Sequence, residues 1–304
     1  MEKVFWMDRQ DQVEVYVKKW CLQNEKPKAI VQLAHGMAEH INRYQTFAEY
    51  LLEQNIFVYG NDHRGHGYTG KRQGLLGYFA TEEGFKKTTE DLYAVTEQIK
   101  SDYPHTPVFL LGHSMGSFLV RNYIQHYSSA INGVILSGTG YFPTLQSKAG
   151  KKLSGMLPPR KASKLMNSLA FGRYNKKIKQ KNTIFDWLSS DEEAVQSYMD
   201  DPHTGFVPTA RFFYDLMTGL ITMNDGKLNQ SIRNDLPLLI VSGDADPVGN
   251  YAKGIWKTAN LYEKAGLKKI TTMLFTDRRH ELLNERNKDE VFSAISGWIL
   301  RHIK

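Results

Sequence analysis

The stretch that decides the fold is Leu110–Ser117, "LLGHSMGS". A serine stands two positions from a glycine on either side. The aliphatic run "PVFLL" leads in, and "MGSFLVRNYIQHYS", residues 115–128, leads out with helical spacing. Gly112-His113-Ser114-Met115-Gly116 therefore places G-x-S-x-G between an expected strand and an expected helix. In that context the motif makes a nucleophile elbow. The serine of such a turn adopts a strained backbone, so that its hydroxyl stands clear of the strand end. Glycines two residues away let strand and helix close around it. The helix N-terminus aims the Met115 N–H at the point where an oxyanion would form.

A serine hydroxyl is a poor nucleophile without a base, and the base needs an orienting acid. Behind an elbow of this kind the chain order is serine, acid, histidine. Of ten histidines, only His280 and His302 follow the last carboxylates that could close a strand. His302 falls two residues from the C-terminus. His280 follows the strand-like "KITTMLFT" in a loop, "DRRHE", and is the expected base. Two acids are open after "LPLLIVSG": Asp244 and Asp246, in "GDADPVG". Asp246 is preferred, three residues past the glycine that ends the strand, with Asp244 as a turn residue. The second oxyanion donor is expected from "LAHGMAEH", where Gly36 allows close backbone approach and the Met37 N–H is the candidate.

Outward from these sites the chain alternates. "KAIVQLAHG", "IFVYGND", "PVFLLGHS" and "INGVILSGTG" read as buried strands. "RYQTFAEYLLEQ" and "GFKKTTEDLYAVTEQIKSDYP" read as helices between them. Buried strands alternating with helices predict a parallel α/β sheet. The N-terminus, "MEKVFWMDRQDQVEVYVKKW", alternates as a β-hairpin does. From Tyr141 to Arg233 no comparable aliphatic run occurs. The rhythm then resumes with a strand at 236–244, a helix at 250–266, the strand "KITTMLFT" and a helix at 289–303. The expectation is an α/β core formed by 1–140 and 234–304, interrupted by a helical insertion at 141–233.

The chain has 304 residues, enough for one large domain with an inserted piece. Its single cysteine, Cys21, excludes an internal disulfide framework and multi-cysteine zinc sites, and is expected as a small filler near the first strands. No apolar run approaches the roughly 20 residues of a membrane span, and the N-terminus lacks a signal-peptide core. A soluble cytoplasmic protein is expected. No Walker A or dinucleotide glycine pattern is present. His35, His40, His63 and His66 lack H-E-x-x-H spacing and are expected to brace the loops under the site. No cofactor, metal or nucleic-acid partner is expected.

The net charge of +7 is unevenly placed. Residues 148–181 hold eleven Lys or Arg and no Asp or Glu, which leaves the remainder at −4. Such a segment suits a solvated face, or peripheral contact with an anionic membrane. In the second reading Leu153, Met156, Leu157, Leu165 and Met166 would dip into the interface.

With these residues in view, the sequence resembles the monoacylglycerol lipase and lysophospholipase branch of the α/β-hydrolase superfamily, which in bacteria includes serine aminopeptidase-like hydrolases. The resemblance rests on "HGMAEHINRY", "DHRGHGYT", "GHSMGS", "GDADPVG" and "RRHELLNE", in that order over nearly the whole chain, and on "FDWLSSDEEAVQSYMDDPHTGFVPTARFFYDLMTGL" inside the insertion. It implies a mostly parallel sheet of about eight strands with a helical lid. It also implies Ser114 as nucleophile, Asp246 as acid, His280 as base, and Met37 and Met115 as oxyanion donors. The substrate implied is a lipid ester with a single acyl chain. A small ester or an N-terminal peptide bond is the alternative, and a ligand-binding protein without turnover a third. Two features depart from the family pattern. Asp277-Arg278-Arg279 stand before the histidine where the family tends to have a glycine and a small residue, so Asp277 could compete for His280. The basic run in the insertion is the other departure.

Overall fold

Strands β1 (Glu2–Asp8), β2 (Glu14–Trp20), β3 (Ala29–Ala34), β4 (Ile56–Asn61), β5 (Val108–His113), β6 (Gly133–Ser137), β7 (Leu238–Gly243) and β8 (Ile270–Phe275) form one sheet in the order β1-β2-β4-β3-β5-β6-β7-β8. The structure, a computed structural model, describes residues 1–179 and 181–303; Gln180, within the basic segment, and Lys304 lie outside the described residues. β1 and β2 pair as an antiparallel hairpin, β2 meets β4 antiparallel, and every pairing from β4 to β8 is parallel.

The central strands are buried at every position and largely apolar because both faces are covered. Along β5, Val108 and Leu110 point to one core cluster and Phe109 and Leu111 to the other, the period-2 alternation of a strand. On the second face lie α1 (Gln45–Glu53) and α11 (Lys288–Arg301), which bury Phe47, Leu51, Phe292, Ile295 and Trp298. On the first lie α3 (Gly84–Asp102), α4 (Met115–Tyr127) and α10 (Lys253–Lys264), burying Leu92, Val95, Tyr123, Ile255 and Tyr262. A short helix, α2 (Gly67–Gln73), follows β4.

Between β6 and β7 run α5 (Thr144–Gly155), α6 (Lys164–Phe171), α7 (Glu192–Asp200), α8 (Ala210–Thr222) and α9 (Gly226–Gln230). Thr209 caps α8 by accepting from the Phe212 N–H, and the helix buries Phe212, Phe213, Leu216 and Leu220 against the α3–α4 layer. The helix expected at 250–266 begins at Lys253, because Asn250, Tyr251 and Ala252 all have positive φ (48°, 53°, 70°). Among the described residues, no helix is long and apolar enough to cross a membrane.

The basic segment departs from expectation in its apolar residues. Met156 and Leu165 are exposed, whereas Met166 is buried and Leu153 and Leu157 pack against the core. Leu145, Leu169 and Ile184 are exposed in their place. Three of the cations lie over aromatic rings: Lys151 on Tyr214, Arg160 on Tyr78 and Lys177 on Tyr251.

Candidate active site

The carboxyl ends of β3, β5, β6, β7 and β8 meet at one edge of the sheet, where ligand crevices of open parallel sheets lie. Ser114 follows β5 directly, with φ 51° and ψ −120°, a conformation that costs about 1–3 kcal/mol in a non-glycine residue. Its N–H donates to the Ser137 carbonyl on β6 (2.9 Å), and its own carbonyl accepts from the Ser117 N–H (2.9 Å). The flanking glycines are steric necessities. A Cβ on Gly116 would lie 2.0 Å from the Ala34 carbonyl oxygen, and one on Gly112 would lie 2.5 Å from that of Gly116. Met115 opens α4, so its N–H has no carbonyl four residues back within the helix.

Asp246 and His280 meet at the same end of the sheet. Asp246 Oδ2 lies 3.0 Å from His280 Nδ1, and the other carboxylate oxygen accepts from the Val248 N–H at 2.8 Å. Both side chains are buried. Burial opposes the charged form of His280, but the charge and hydrogen bond of Asp246 outweigh it, with Glu281 and Glu39 adding to the field, and the pKa is raised. A ring with Nδ1 protonated toward Asp246 leaves Nε2 free to accept a proton. Asp244 is a turn residue: its Oδ1 accepts from the Asp277 N–H at 2.8 Å. Asp277 is thus held by Asp244, and the carboxylate bonded to His280 is that of Asp246.

Ser114, His280, Met37 and Met115 line one cavity of about 1430 Å³. Its far walls come from the insertion, through Leu153, Phe171, Leu216, Met217 and Leu220. Gly36 lets the Met37 loop approach, since a Cβ there would be 3.2 Å from Ser114 Cβ.

The sequence reading missed a buried ion cluster at this loop. Arg43 donates to Glu39 Oε2 (2.7 Å) and bidentately to Glu281 (2.6 and 2.7 Å). Glu39 Oε1 accepts from Tyr44 Oη (2.8 Å) and from the Gly36 N–H. The charges in "HGMAEHINRY" were the available signal, but their partner is Glu281, far away in sequence. The insertion reaches both loops. Tyr198 Oη and the Gly205 N–H each donate to the Ala38 carbonyl at 3.0 Å, and Trp187 lies over the His280 ring with centroids 5.0 Å apart.

The buried histidines hold loops together. The His63 N–H donates to His35 Nε2 (2.9 Å), and His63 Nε2 bonds the His35 carbonyl (3.0 Å). His35 Nδ1 therefore carries the proton and donates to the Gly36 carbonyl at 2.8 Å. His66 Nδ1 donates to the Arg64 carbonyl at 2.8 Å. His40 instead pairs with Asp201 of the insertion at 2.8 Å.

The chain is similar to known lipases and esterases. A monoacylglycerol lipase of Mycolicibacterium smegmatis is 28% identical, with 91% of this chain and 90% of that protein aligned. The monoglyceride lipase of Rattus norvegicus is 27% identical over 91% of this chain and 84% of its own length. A thermostable carboxyl esterase from Bacillus coagulans, solved in complex with glycerol, superimposes with a TM-score of 0.92 at 27% identity, covering 100% of this chain and 99% of that one. The family model described as serine aminopeptidase, S33 (Hydrolase_4) matches residues 25–287. The chain belongs to that family and is an enzyme of the α/β-hydrolase fold.

Proposed function

We propose that this ester hydrolase cleaves lipids carrying a single acyl chain, a monoacylglycerol or a lysophospholipid, through an acyl-enzyme on Ser114. The observation that carries the reading is the cavity of about 1430 Å³ that opens on Ser114 and is walled by apolar side chains of the insertion. It exceeds the roughly 300–1,000 Å³ of an ordinary small-molecule pocket and has room for an extended chain. The relatives named as monoglyceride lipases and the esterase holding glycerol support the same substrate class.

In this reading His280 takes the Ser114 proton as Oγ attacks the acyl carbonyl. The N–H groups of Met37 and Met115 receive the oxyanion. His280 returns the proton to the leaving alcohol, and water then cleaves the acyl-enzyme by the same route. Asp246 fixes the tautomer and balances the imidazolium. The segment 141–233 serves as a cap that covers the acyl chain.

An aminopeptidase would need a carboxylate free to hold the peptide's ammonium group. Glu39 and Glu281 are the carboxylates lining the cavity among the described residues, and both are bonded to Arg43. The deciding experiment is a hydrolysis panel: p-nitrophenyl esters from C2 to C16, monoacylglycerols, lysophospholipids and aminoacyl amides. The highest kcat/KM is expected on a single-chain lipid ester. A maximum at C2–C4 with no lipid turnover makes the enzyme a small-ester esterase. Cleavage confined to aminoacyl amides makes it a peptidase, and no turnover on any substrate makes it a binding protein.

The basic segment 148–181 is the proposed contact with an anionic membrane surface. Leu169 and Ile184 both line the cavity and stand 62% and 76% exposed, so they lie at its rim. Docking there would bring the cavity mouth to the lipid.

A further inference from the structure

The reaction just described gives Arg279 no role. It stands immediately before His280. Its Nη1 donates to two main-chain carbonyls of the insertion, Asp186 at 2.6 Å and Ser189 at 2.8 Å. The same segment is held at other points. The Glu281 N–H donates to the Leu188 carbonyl at 2.7 Å. Glu285 accepts from the Ser190 hydroxyl (2.5 Å) and, through its other oxygen, from the Arg279 N–H (2.7 Å). Segment 186–190 and loop 279–285 are thus laced together, and the residue that the lacing fixes in space is Trp187.

Trp187 is 8% exposed, and its ring lies 5.0 Å from the His280 ring at a tilt of 39°. Phe171 stacks on it at 5.8 Å and 15°, and Tyr174 meets it edge-on at 4.9 Å. Other neighbours of His280 come from the core. Asp246 bonds Nδ1, the His113 ring lies 4.8 Å away, and Gly138 sits beneath, where a Cβ would be 2.9 Å from Cε1. The charged groups whose field reaches the imidazole are Asp246, Glu281 and Glu39, the two glutamates being tied by Arg43. Asp246 fixes one atom of the imidazole. A ring held at one atom can still tip about that bond, and Trp187 is the wall that the insertion sets against that tip, beside His113 and Gly138 of the core.

We propose that Arg279 and Trp187 form one positioning unit for the general base: Arg279 fastens segment 186–190 of the insertion to the histidine loop and so seats Trp187 against the imidazole. The root of the cap is then a fixed part of the active site. The proposal rests on His280 being the base.

The test uses the full chain and p-nitrophenyl butyrate, with rates expressed per active site titrated by a fluorophosphonate. Arg279→Met should lower kcat by about 10- to 100-fold, the scale of a small misplacement of a reacting group, with KM little changed. Arg279→Lys should restore most of the loss, because an ammonium can donate to the same carbonyls. Trp187→Leu should show a similar fall. The double variant should be no worse than the larger single one, the signature of a shared interaction. The low-field Nδ1–H proton resonance of His280 should broaden in Arg279→Met and Trp187→Leu, which a loss of general stability would not produce. Unchanged kcat in Arg279→Met, or losses that multiply in the double variant, overturn the proposal. Should Arg279→Met fail to fold, Arg279→Lys and Trp187→Leu decide by the same two readouts. Turnover that survives His280→Ala would overturn the base assignment itself, a different failure.

Discussion

Asp246 Oδ2 and His280 Nδ1 are 3.0 Å apart, and both side chains are sealed from solvent. The pair is joined by β7 and β8, whose carboxyl ends present the two loops side by side. Asp246→Asn should lower kcat by roughly 10⁴, since an amide favours the wrong imidazole tautomer. Asp244→Asn should cost less than about ten-fold, because Asp244 holds only the Asp277 N–H of an exposed turn. Reversed effects in steady-state kinetics would move the acid by two residues.

A general base must be neutral to act, and the His280 pKa is raised above its ordinary 6.5. The acid limb of kcat/KM should therefore lie above pH 6.5, with activity falling as pH drops through it. Glu281 is held ionised by Arg43, its pKa lowered to about 2. Glu281→Gln removes a negative charge beside the imidazole and leaves Arg43 less compensated. Both changes disfavour the imidazolium, so the limb should move to lower pH. A shift upward in the pH–rate profile would contradict this field.

The buried histidines set the acid stability. Burial holds His63 at about 3, His66 at about 4 and His113 at about 4, with His35 well below its usual value. Their folded pKa values lie below the unfolded 6.5. Their stabilisation is present in full above pH 6.5 and is lost as pH falls toward the folded values. Asp62 acts in the opposite sense: burial raises its pKa to about 6, so below pH 6 the folded state carries a proton that the unfolded state lacks. Four protons against one leave about three taken up on unfolding near pH 5, a slope of about 4 kcal/mol per pH unit. Urea unfolding at pH 7, 5.5 and 5 measures it, and a flat dependence would show that these rings are protonated in the folded protein.

The glycines of the elbow give a packing test. Gly116→Ala would drive its Cβ to 2.0 Å from the Ala34 carbonyl oxygen, which is backbone and cannot swing aside. It should cost at least 1–3 kcal/mol and displace the Met115 N–H, lowering kcat as well as Tm. Gly226 opens α9 with nothing within 4 Å of a Cβ. Gly226→Ala should hold or raise Tm, by up to about 1 kcal/mol, through the smaller backbone freedom of the unfolded chain.

What the sequence made legible follows from what is local. The sheet was readable because a strand buried on both faces must be largely apolar, as "AIVQLA" and "VFLL" are. The candidate triad was readable because Ser114 and Asp246 follow such strands and His280 follows the half-buried strand "ITTMLF". α2 was not readable: "GYTGKRQ" has no apolar stripe, and the helix is held by the Asp62 carboxylate accepting from the Tyr68 N–H (2.7 Å) and by a left-handed Gly74 at its end. The Glu39–Arg43–Glu281 cluster joins residues 238 positions apart, which no local pattern announces. Met166 was read as an interfacial residue, yet α6 turns it into the core while Leu165 and Leu169 stay exposed. The face a short helix buries depends on a partner that composition does not name.

The basic segment gives the final prediction. Lys148, Lys152, Lys161 and Lys164 are exposed along α5, α6 and the connection between them, beside exposed Met156 and Leu165. Each cation at an anionic surface contributes about 1 kcal/mol, so four together strengthen binding by roughly 10³-fold. Exposed Leu145, Leu169 and Ile184 add apolar contact that salt does not screen. The protein should co-sediment with phosphatidylglycerol vesicles and not with phosphatidylcholine vesicles. Binding should disappear by about 0.5 M salt, where the Debye length falls below the ~8 Å of physiological ionic strength. Replacing the four lysines with glutamine should abolish sedimentation and lower activity on monoacylglycerol in anionic vesicles. Activity on p-nitrophenyl butyrate should stay unchanged, because these side chains lie outside the cavity lining. Equal binding to both lipids would make the apolar rim alone responsible, and no binding to either would leave the lysines as a solvated face.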